Sequence, residues 1–245
     1  MGSGGRYETA TGERLAFTLG DGSQVTLDTH SELRVSFSPT ERQVRLSHGQ
    51  AFFEVAKDPQ RPFVVEVHDR RFVAVGTAFD VRVDGDQVKV TMVEGTVRVE
   101  RRDESILAVG GSAQPRASVR STDRSPAPGS SGGPTRAVAT ITAGEQLVAD
   151  ARRRDDVRAT DPERETSWRR GQVIFDNTRL ADAIAEVNRY SEAKIELADP
   201  DLADLRLSGA FATGRPTVFV EAVTSYFPVQ VTRSDERGVT LSKKR

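Results

Sequence analysis

RLSHGQAFFEV (residues 45–55) and KVTMVEGTVRV (residues 89–99) share one layout: an alternating apolar run, a glycine, and a second alternating run. Apolar residues that recur at every second position indicate β-strands with one buried face. A strand-glycine-strand unit that occurs twice favours stacked β-layers or a solenoid over a simple meander. These two stretches therefore predict a layered all-β structure around them.

The same period of two extends from Leu15 to Val99, with turn signals between the runs. The clearest signals are Asp21-Gly22, Ser38-Pro39, His48-Gly49, Asp58-Pro59 and Asp84-Gly85. Short strands at this spacing indicate a β-sandwich, barrel or solenoid. The alternation of ATITAGEQLVA (139–149) predicts a return to the same domain.

From Trp168 onward the pattern changes to strands that alternate with amphipathic helices. In the first helix Leu180, Ile184, Val187 and Tyr190 fall on one face. The order β-α-β, β-α-β-β predicts a small α+β domain with helices on a short sheet. The fold class expected for the whole chain is thus mainly β, solenoid- or sandwich-like, followed by α+β.

Composition divides the chain further. Residues 1–12, which begin MGSGG, read as an expression scar and a disordered start. The all-β domain is predicted over 13–150, with a disordered Gly/Ser/Pro/Ala-rich insertion at 110–136. A charged linker is predicted over 151–167 and the α+β domain over 168–245.

Charge and residue usage argue against several functions. The net charge of −1 gives no field for nucleic acid, and no apolar run is long enough to span a bilayer. The chain has no cysteine, and His30, His48 and His68 lack ligand-spaced partners, so neither a metal nor a cofactor is expected. Hydrolase, zincin, P-loop and dinucleotide motifs are missing from the sequence, which argues against an ordinary enzyme.

The ordered set FTLGDGSQVTLDTHSELRV, VRLSHGQAFFEVAKDPQRPFVVEV, VAVGTAFDVRV, VTMVEGTVRV and ITAGEQL resembles the extracytoplasmic domain of FecR-type anti-sigma regulators. The distal stretch WRRGQVIFDNTRLADAIAEVNRYSEAKIEL, with LRLSGAFATG after it, resembles the distal part of the same family. This distal part is similar to the short N-terminal (STN) domain of secretins and TonB-dependent transporters. The resemblance covers residues 14–100 and 138–242.

The resemblance implies cell-surface signalling, for example in the regulation of iron uptake. It implies a periplasmic region that contacts the signalling domain of a TonB-dependent outer-membrane transporter. The parent protein would be anchored in the inner membrane by a transmembrane helix absent from this chain. A cytoplasmic segment, also absent, would bind an extracytoplasmic-function sigma factor.

Gly76-Thr77 interrupts the alternation of FVAVGTAFDVRV (72–83) and has two readings. A glycine inside a strand often marks a bulge or a close backbone approach. The family resemblance adds a second reading, self-cleavage, in which the Thr77 hydroxyl attacks the Gly76 carbonyl carbon. The sequence identifies neither a base nor an oxyanion donor for that step.

Partner binding is assigned to the edge of the small C-terminal sheet, where a related domain could add a strand. The alternating polar residues Arg206 and Ser208, with Gln230 and Thr232, would then tune specificity. An envelope module that binds carbohydrate or peptide is the alternative function. The chain has few Trp and Tyr residues that could form a sugar-binding platform, which argues against that alternative. Trp168 is interpreted as a packing anchor between the domains.

Overall fold

The computed structural model describes residues 4–102, 135–150, 155–236 and 238–244. The predicted disordered insertion at 110–136 lies outside the described residues except for its last two, which begin a strand. Within the described ranges, no helix has the length and apolar character needed to cross a membrane.

The N-terminal domain is built from strands alone. Its described strands are β1 Gly4–Glu8, β2 Leu15–Thr18, β3 Gln24–Leu27, β4 Glu32–Phe37, β5 Arg42–Glu54, β6 Phe63–Val67, β7 Arg70–Ala74, β8 Ala78–Asp84, β9 Gln87–Glu94, β10 Thr96–Arg102, β11 Thr135–Thr142, β12 Glu145–Asp150 and β13 Asp156–Ala159. The prediction of a mainly β fold is confirmed.

These strands form two layers that are joined through β5. The first layer has the order β1-β4-β5-β6-β7-β10-β11, and the second has the order β2-β3-β5-β8-β9-β12-β13. Residues 42–48 of β5 pair with β4 and β6, and residues 49–54 pair with β3 and β8. The first and second layers bury one common core. Its members include Val25, Leu33, Val44, Phe53, Phe63, Phe72, Phe79, Val90, Val97, Ile141 and Leu147.

Glycines with positive φ stand where the chain passes from one layer to the other. Gly49 (φ +87°) lies inside β5, Gly76 (φ +64°) lies between β7 and β8, and Gly95 (φ +82°) lies between β9 and β10. Glycine adopts this backbone region without the steric penalty that other residues incur. The strand-glycine-strand unit is therefore the corner of a two-layer stack.

Two details of the sequence prediction are wrong at these corners. His48-Gly49 is not a turn, because β5 continues through it and bends into the second layer. The stretch 72–83 is not one strand with a bulge, since β7 and β8 belong to different layers and Gly76 lies in the crossing between them.

The C-terminal domain follows the predicted element order. It contains β14 Gln172–Arg179, α2 Leu180–Asn188, β15 Lys194–Leu197, β16 Arg206–Ala212, α3 Pro216–Tyr226, β17 Val229–Asp235 and β18 Gly238–Lys243. The expectation of a single short sheet is wrong, since β14 pairs with β16 while β18 lies between β15 and β17. Both sheets contribute apolar side chains to one core with α2 and α3, so each sheet buries one face against the helices.

The segment predicted as a charged linker contains regular structure in its described part. Strand β13 pairs with β12 at the edge of the second layer. A short helix, α1 Pro162–Glu165, follows it and is capped by the Asp161 side chain. The C-terminal domain then covers the outer face of the second layer.

We expect Gly49→Ala to lower the free energy of unfolding by about 3 kcal/mol or more. An added Cβ would lie 2.2 Å from Ser31 Oγ and 2.6 Å from the His30 carbonyl oxygen. Gly144→Ala is the control, because Gly144 has a similar φ (+83° against +87°) but no atom within 4 Å of its added Cβ. Gly144→Ala should cost only about 1 kcal/mol in urea unfolding. Equal losses in the two variants would contradict the bend at Gly49.

Candidate functional site: the interface between the domains

Trp168 joins the two domains. It lies in a short 3₁₀ segment, Ser167–Arg170, that ends at Gly171 in the left-handed conformation. Its side chain is 3% exposed, and its indole Nε1 donates a hydrogen bond of 3.1 Å to Asp80 Oδ1 on β8. Arg14 of the N-terminal domain donates to the Trp168 carbonyl oxygen. The interpretation of Trp168 as a packing anchor between the domains is confirmed.

Asp80 is a buried carboxyl group at the centre of this interface. Its neighbours Phe79 and Val81 face the β core, so Asp80 points out of the second layer toward the C-terminal domain. Gln50 Nε2 donates to Asp80 Oδ2 at 2.9 Å. Burial raises the pKa of Asp80 to about 8, although the hydrogen bonds from Gln50 and Trp168 oppose this rise. The carboxyl group is therefore largely protonated at neutral pH.

The end of α2 forms a second set of polar contacts with the N-terminal domain. The Tyr190 hydroxyl donates to Asp28 Oδ2 at 2.7 Å, and Arg189 Nη1 donates to Gln50 Oε1 at 3.1 Å. Burial raises the pKa of Asp28, while Arg189 acts in the opposite direction. These contacts link Asp28, Gln50 and Asp80 into one network with α2.

Charged pairs surround that network. Glu186 on α2 accepts from Arg82 Nη1 at 2.6 Å and from Arg189 Nη1 at 2.8 Å. Burial alone would raise the pKa of Glu186, but Arg189 and Arg82 hold it below its usual value. On the other side of Trp168, the Arg169 guanidinium lies 3.7 Å from the centre of the Phe52 ring, within cation–π distance.

This arrangement can act as a rigid joint. A buried polar group that loses its partner costs free energy, so each contact favours one relative position of the two domains. The hydrogen bonds and ion pairs described here are those of a fixed interface between two domains. Among the described residues, no cluster of three or more histidine or carboxylate side chains has a geometry suited to a metal ion.

Gly76 and Thr77 lie away from this interface, at a corner of the β-stack. The stem of Lys57 packs against Gly76, and Thr77 Cγ2 packs against Gly95. The Thr77 carbonyl oxygen accepts from Val55 N at 2.9 Å. In the described part of the chain, the buried Thr77 Oγ1 has no hydrogen-bond partner.

The four predicted partner-binding residues are exposed but do not share one sheet edge. Arg206 Nη1 donates to the Asn177 carbonyl oxygen, and Ser208 Oγ accepts from Asn177 N, both across the β14–β16 pair. Gln230 Nε2 and Thr232 Oγ1 donate to carbonyl oxygens of β18, in the other sheet. The structure therefore separates them into two pairs.

Sequence reasoning missed an apolar groove between β16 and α3. The groove has a volume of about 500 Å³ and is lined in part by Leu207, Phe211, Ala222 and Tyr226. Tyr226 is 85% exposed. The residues at 218, 222 and 226 indicate this apolar surface in the sequence, because their spacing places them along one side of a helix.

Comparisons with known proteins agree with the architecture. Residues 5–98 match the family described as FecR protein. Two crystal structures of a candidate anti-sigma factor from Parabacteroides distasonis ATCC 8503 share the fold, each with 20% identity and a TM-score of 0.72. The similarity covers 99% and 98% of this chain and 100% of each of those chains. No curated protein matches this chain.

We expect Asp80→Asn to remove part of the pH dependence of stability. Because the folded pKa of about 8 lies above the unfolded value of about 3.9, the contribution of Asp80 is fully present below pH 4 and is lost as pH rises through 8. Between these values, wild type should lose up to about 1.4 kcal/mol per pH unit relative to the variant. Urea unfolding at pH 5, 6, 7 and 8 measures this difference.

Asp84→Asn is the matched control on the same strand, because the Asp84 side chain is 69% exposed. Its unfolding free energy should follow that of wild type across the same pH range. Parallel pH profiles for wild type and Asp80→Asn would contradict the assignment of Asp80 as a buried, neutral carboxyl group.

Proposed function

We propose that this chain is the periplasmic signal-receiving region of a transmembrane anti-sigma regulator. The FecR-family region and the fold shared with a candidate anti-sigma factor support a regulatory role. In this proposal the C-terminal, STN-like domain binds the signalling domain of a TonB-dependent outer-membrane transporter. The signal then passes through the membrane anchor of the parent protein to an extracytoplasmic-function sigma factor.

The observation that carries the proposal is the apolar surface of α3 beside the edge of β16. Val218 is 46% exposed and Tyr226 is 85% exposed, with Ala222 between them on the same side of the helix. Exposed aromatic and aliphatic side chains beside a groove are typical of protein interaction sites. The surface consists of Val218, Ala222, Tyr226 and the β16 edge, and we call it the α3–β16 surface.

Strand β16 offers a way to recruit a related domain. In the described residues β16 pairs only with β14, so its other edge has free backbone groups next to the groove. A partner strand could add there by backbone hydrogen bonds and place apolar side chains in the groove. Arg206 and Ser208 flank this edge, whereas Gln230 and Thr232 lie on β17.

The interface between the domains would pass such a docking event onward. Trp168 and Arg189 hold the C-terminal domain against Asp80 and Asp28 of the β domain. A partner that moves the C-terminal domain must therefore move the β domain with it or break buried hydrogen bonds. This coupling is what a relay needs.

We expect Tyr226→Ala to raise the Kd for the isolated signalling domain of the cognate transporter at least tenfold. The reason is that an exposed aromatic at the centre of an interface commonly supplies 2 kcal/mol or more, as an order of magnitude. Arg206→Ala should weaken binding by a smaller factor, and Gln230→Ala should leave it unchanged. Isothermal titration calorimetry measures all three.

Val157→Ala is the control, because Val157 is 40% exposed but lies on β13 of the other domain. It should bind like wild type. If Gln230→Ala and Thr232→Ala lost binding while Tyr226→Ala kept it, the α3–β16 surface would be contradicted. The docking surface would then lie on β17.

We also propose self-cleavage between Gly76 and Thr77. The specific observation is that the buried Thr77 hydroxyl has no partner in the described structure, next to a glycine at φ +64°. Thr77 Oγ would attack the Gly76 carbonyl carbon, the C–N bond would break, and the proton would pass to the new amine. Water would then hydrolyse the ester, which leaves a Gly76 carboxylate and restores the Thr77 hydroxyl.

Intact mass spectrometry after days at room temperature tests this step. Wild type should give two fragments that together exceed the intact mass by one water, and Thr77→Ala should stay whole. The fragments should co-elute in native chromatography, because β7 and β8 are each held by neighbouring strands.

Gly95-Thr96 provides an internal control. Gly95 also has positive φ (+82°), but Thr96 is exposed and its hydroxyl can be solvated. Thr96→Ala should therefore cleave like wild type. An intact wild-type chain would contradict self-cleavage and leave Gly76 as a corner residue alone.

A further inference from the structure

A polar cavity lies between the second β-layer and the C-terminal domain, separate from the α3–β16 surface. It has a volume of about 190 Å³, room for roughly six waters at about 30 Å³ each. Its walls include Lys89 and Gln146 from the β domain, and Trp168 and Asp182 from the other side. Small-molecule sites occur preferentially at such domain interfaces.

Most charged groups in the cavity wall already have partners. Arg82 pairs with Glu186, and Glu165 accepts from Arg164 and from Gln146. Among the described residues, two charged side chains of the wall have no ion pair or hydrogen bond: the partly buried ammonium group of Lys89 and the exposed carboxylate of Asp182. They carry opposite charges and come from different domains.

An unpartnered ammonium group at this position is unfavourable. Burial lowers the pKa of Lys89 and Arg82 lowers it further, while the carboxylates of Glu165 and Glu186 oppose this fall. An anion beside Lys89 would oppose both of the lowering effects, because an opposite charge favours the ionised form. Asp182 stands in the first turn of α2, where its negative charge also suits the helix dipole. Beside the hydrogen bond to Asp204, the charge of Asp182 raises the pKa of Arg179.

We propose that this cavity binds a small zwitterion of the amino-acid class. Its carboxylate would pair with Lys89 and its ammonium group with Asp182. The amide of Gln146 and the hydroxyl of Thr91 line the same cavity, where Gln146 Nε2 donates to Thr91 Oγ1 and to Glu165 Oε2, and they form a polar wall beside the ligand. A ligand held in this way bridges the two domains and stabilises their arrangement.

Titration calorimetry of the whole chain with L-alanine, L-glutamine and L-leucine tests the proposal. At least one of the three should bind saturably to wild type. Lys89→Met and Asp182→Asn should each raise its Kd at least tenfold, while Lys243→Met, at an exposed lysine far along the C-terminal sheet, should not change it. Thermal unfolding of each variant without ligand confirms that it is folded.

Sodium acetate and methylammonium chloride, at fixed ionic strength, test the carboxylate and the ammonium group of the ligand one at a time. Each should bind at least tenfold more weakly than the amino acid. Acetate binding as tight as that of the amino acid would overturn the zwitterion, since an anion alone would then suffice. Absence of binding by all three amino acids, or equal affinity in Lys89→Met, would overturn the site.

A double-mutant cycle on the ligand-free protein tests whether Lys89 and Asp182 interact directly with each other. Additive effects of Lys89→Met and Asp182→Asn on unfolding are expected, because no ion pair joins these two described side chains in the free protein. Strong coupling in the free protein would overturn the proposal, since they would then pair directly across the cavity.

Discussion

The hydrogen bond from the Trp168 indole to the Asp80 carboxyl group lies at the centre of the contacts that join the two domains. Asp80 points away from the β core and is buried where Trp168 of the C-terminal domain packs against it. Gln50 Nε2 donates to the second carboxyl oxygen of Asp80, and Gln50 Oε1 accepts a hydrogen bond from Arg189. Removal of any member leaves a buried polar group without its partner, so the network specifies one orientation of the domains.

The two β-layers make that interface possible. The chain crosses between them at Gly49, Gly76 and Gly95, so the strand segments before and after each of these glycines belong to different layers. The second layer thereby presents Gln50 from β5 and Asp80 from β8 as neighbours on one surface. A rigid joint built on this surface fits the proposed role, in which the C-terminal domain receives a partner and the β domain responds.

Much of this could be predicted from the sequence, because it depends on local periodicity. Alternation predicted the strands, and the burial of Leu180 and Ile184 confirmed the predicted face of α2. The burial of Asp80 could not be predicted from the neighbouring sequence, because alternation places its side chain on an outward face. Trp168, which packs against it, is 88 residues away in the chain. Gly49 was equally ambiguous, because a glycine between two runs fits a turn and a bent strand alike. The exposed position of Tyr226 escaped prediction because an apolar residue in a helix is ordinarily assigned to the core.

Nuclear magnetic resonance ¹⁵N relaxation of the whole chain at pH 6 tests most directly whether the domains form one body. The network around Trp168 and Asp80 predicts a single rotational correlation time for amides of β5 and β8 and for those of α2 and β14. Two distinct correlation times, each appropriate to a separate small domain, would contradict the joint and the proposed relay that depends on it.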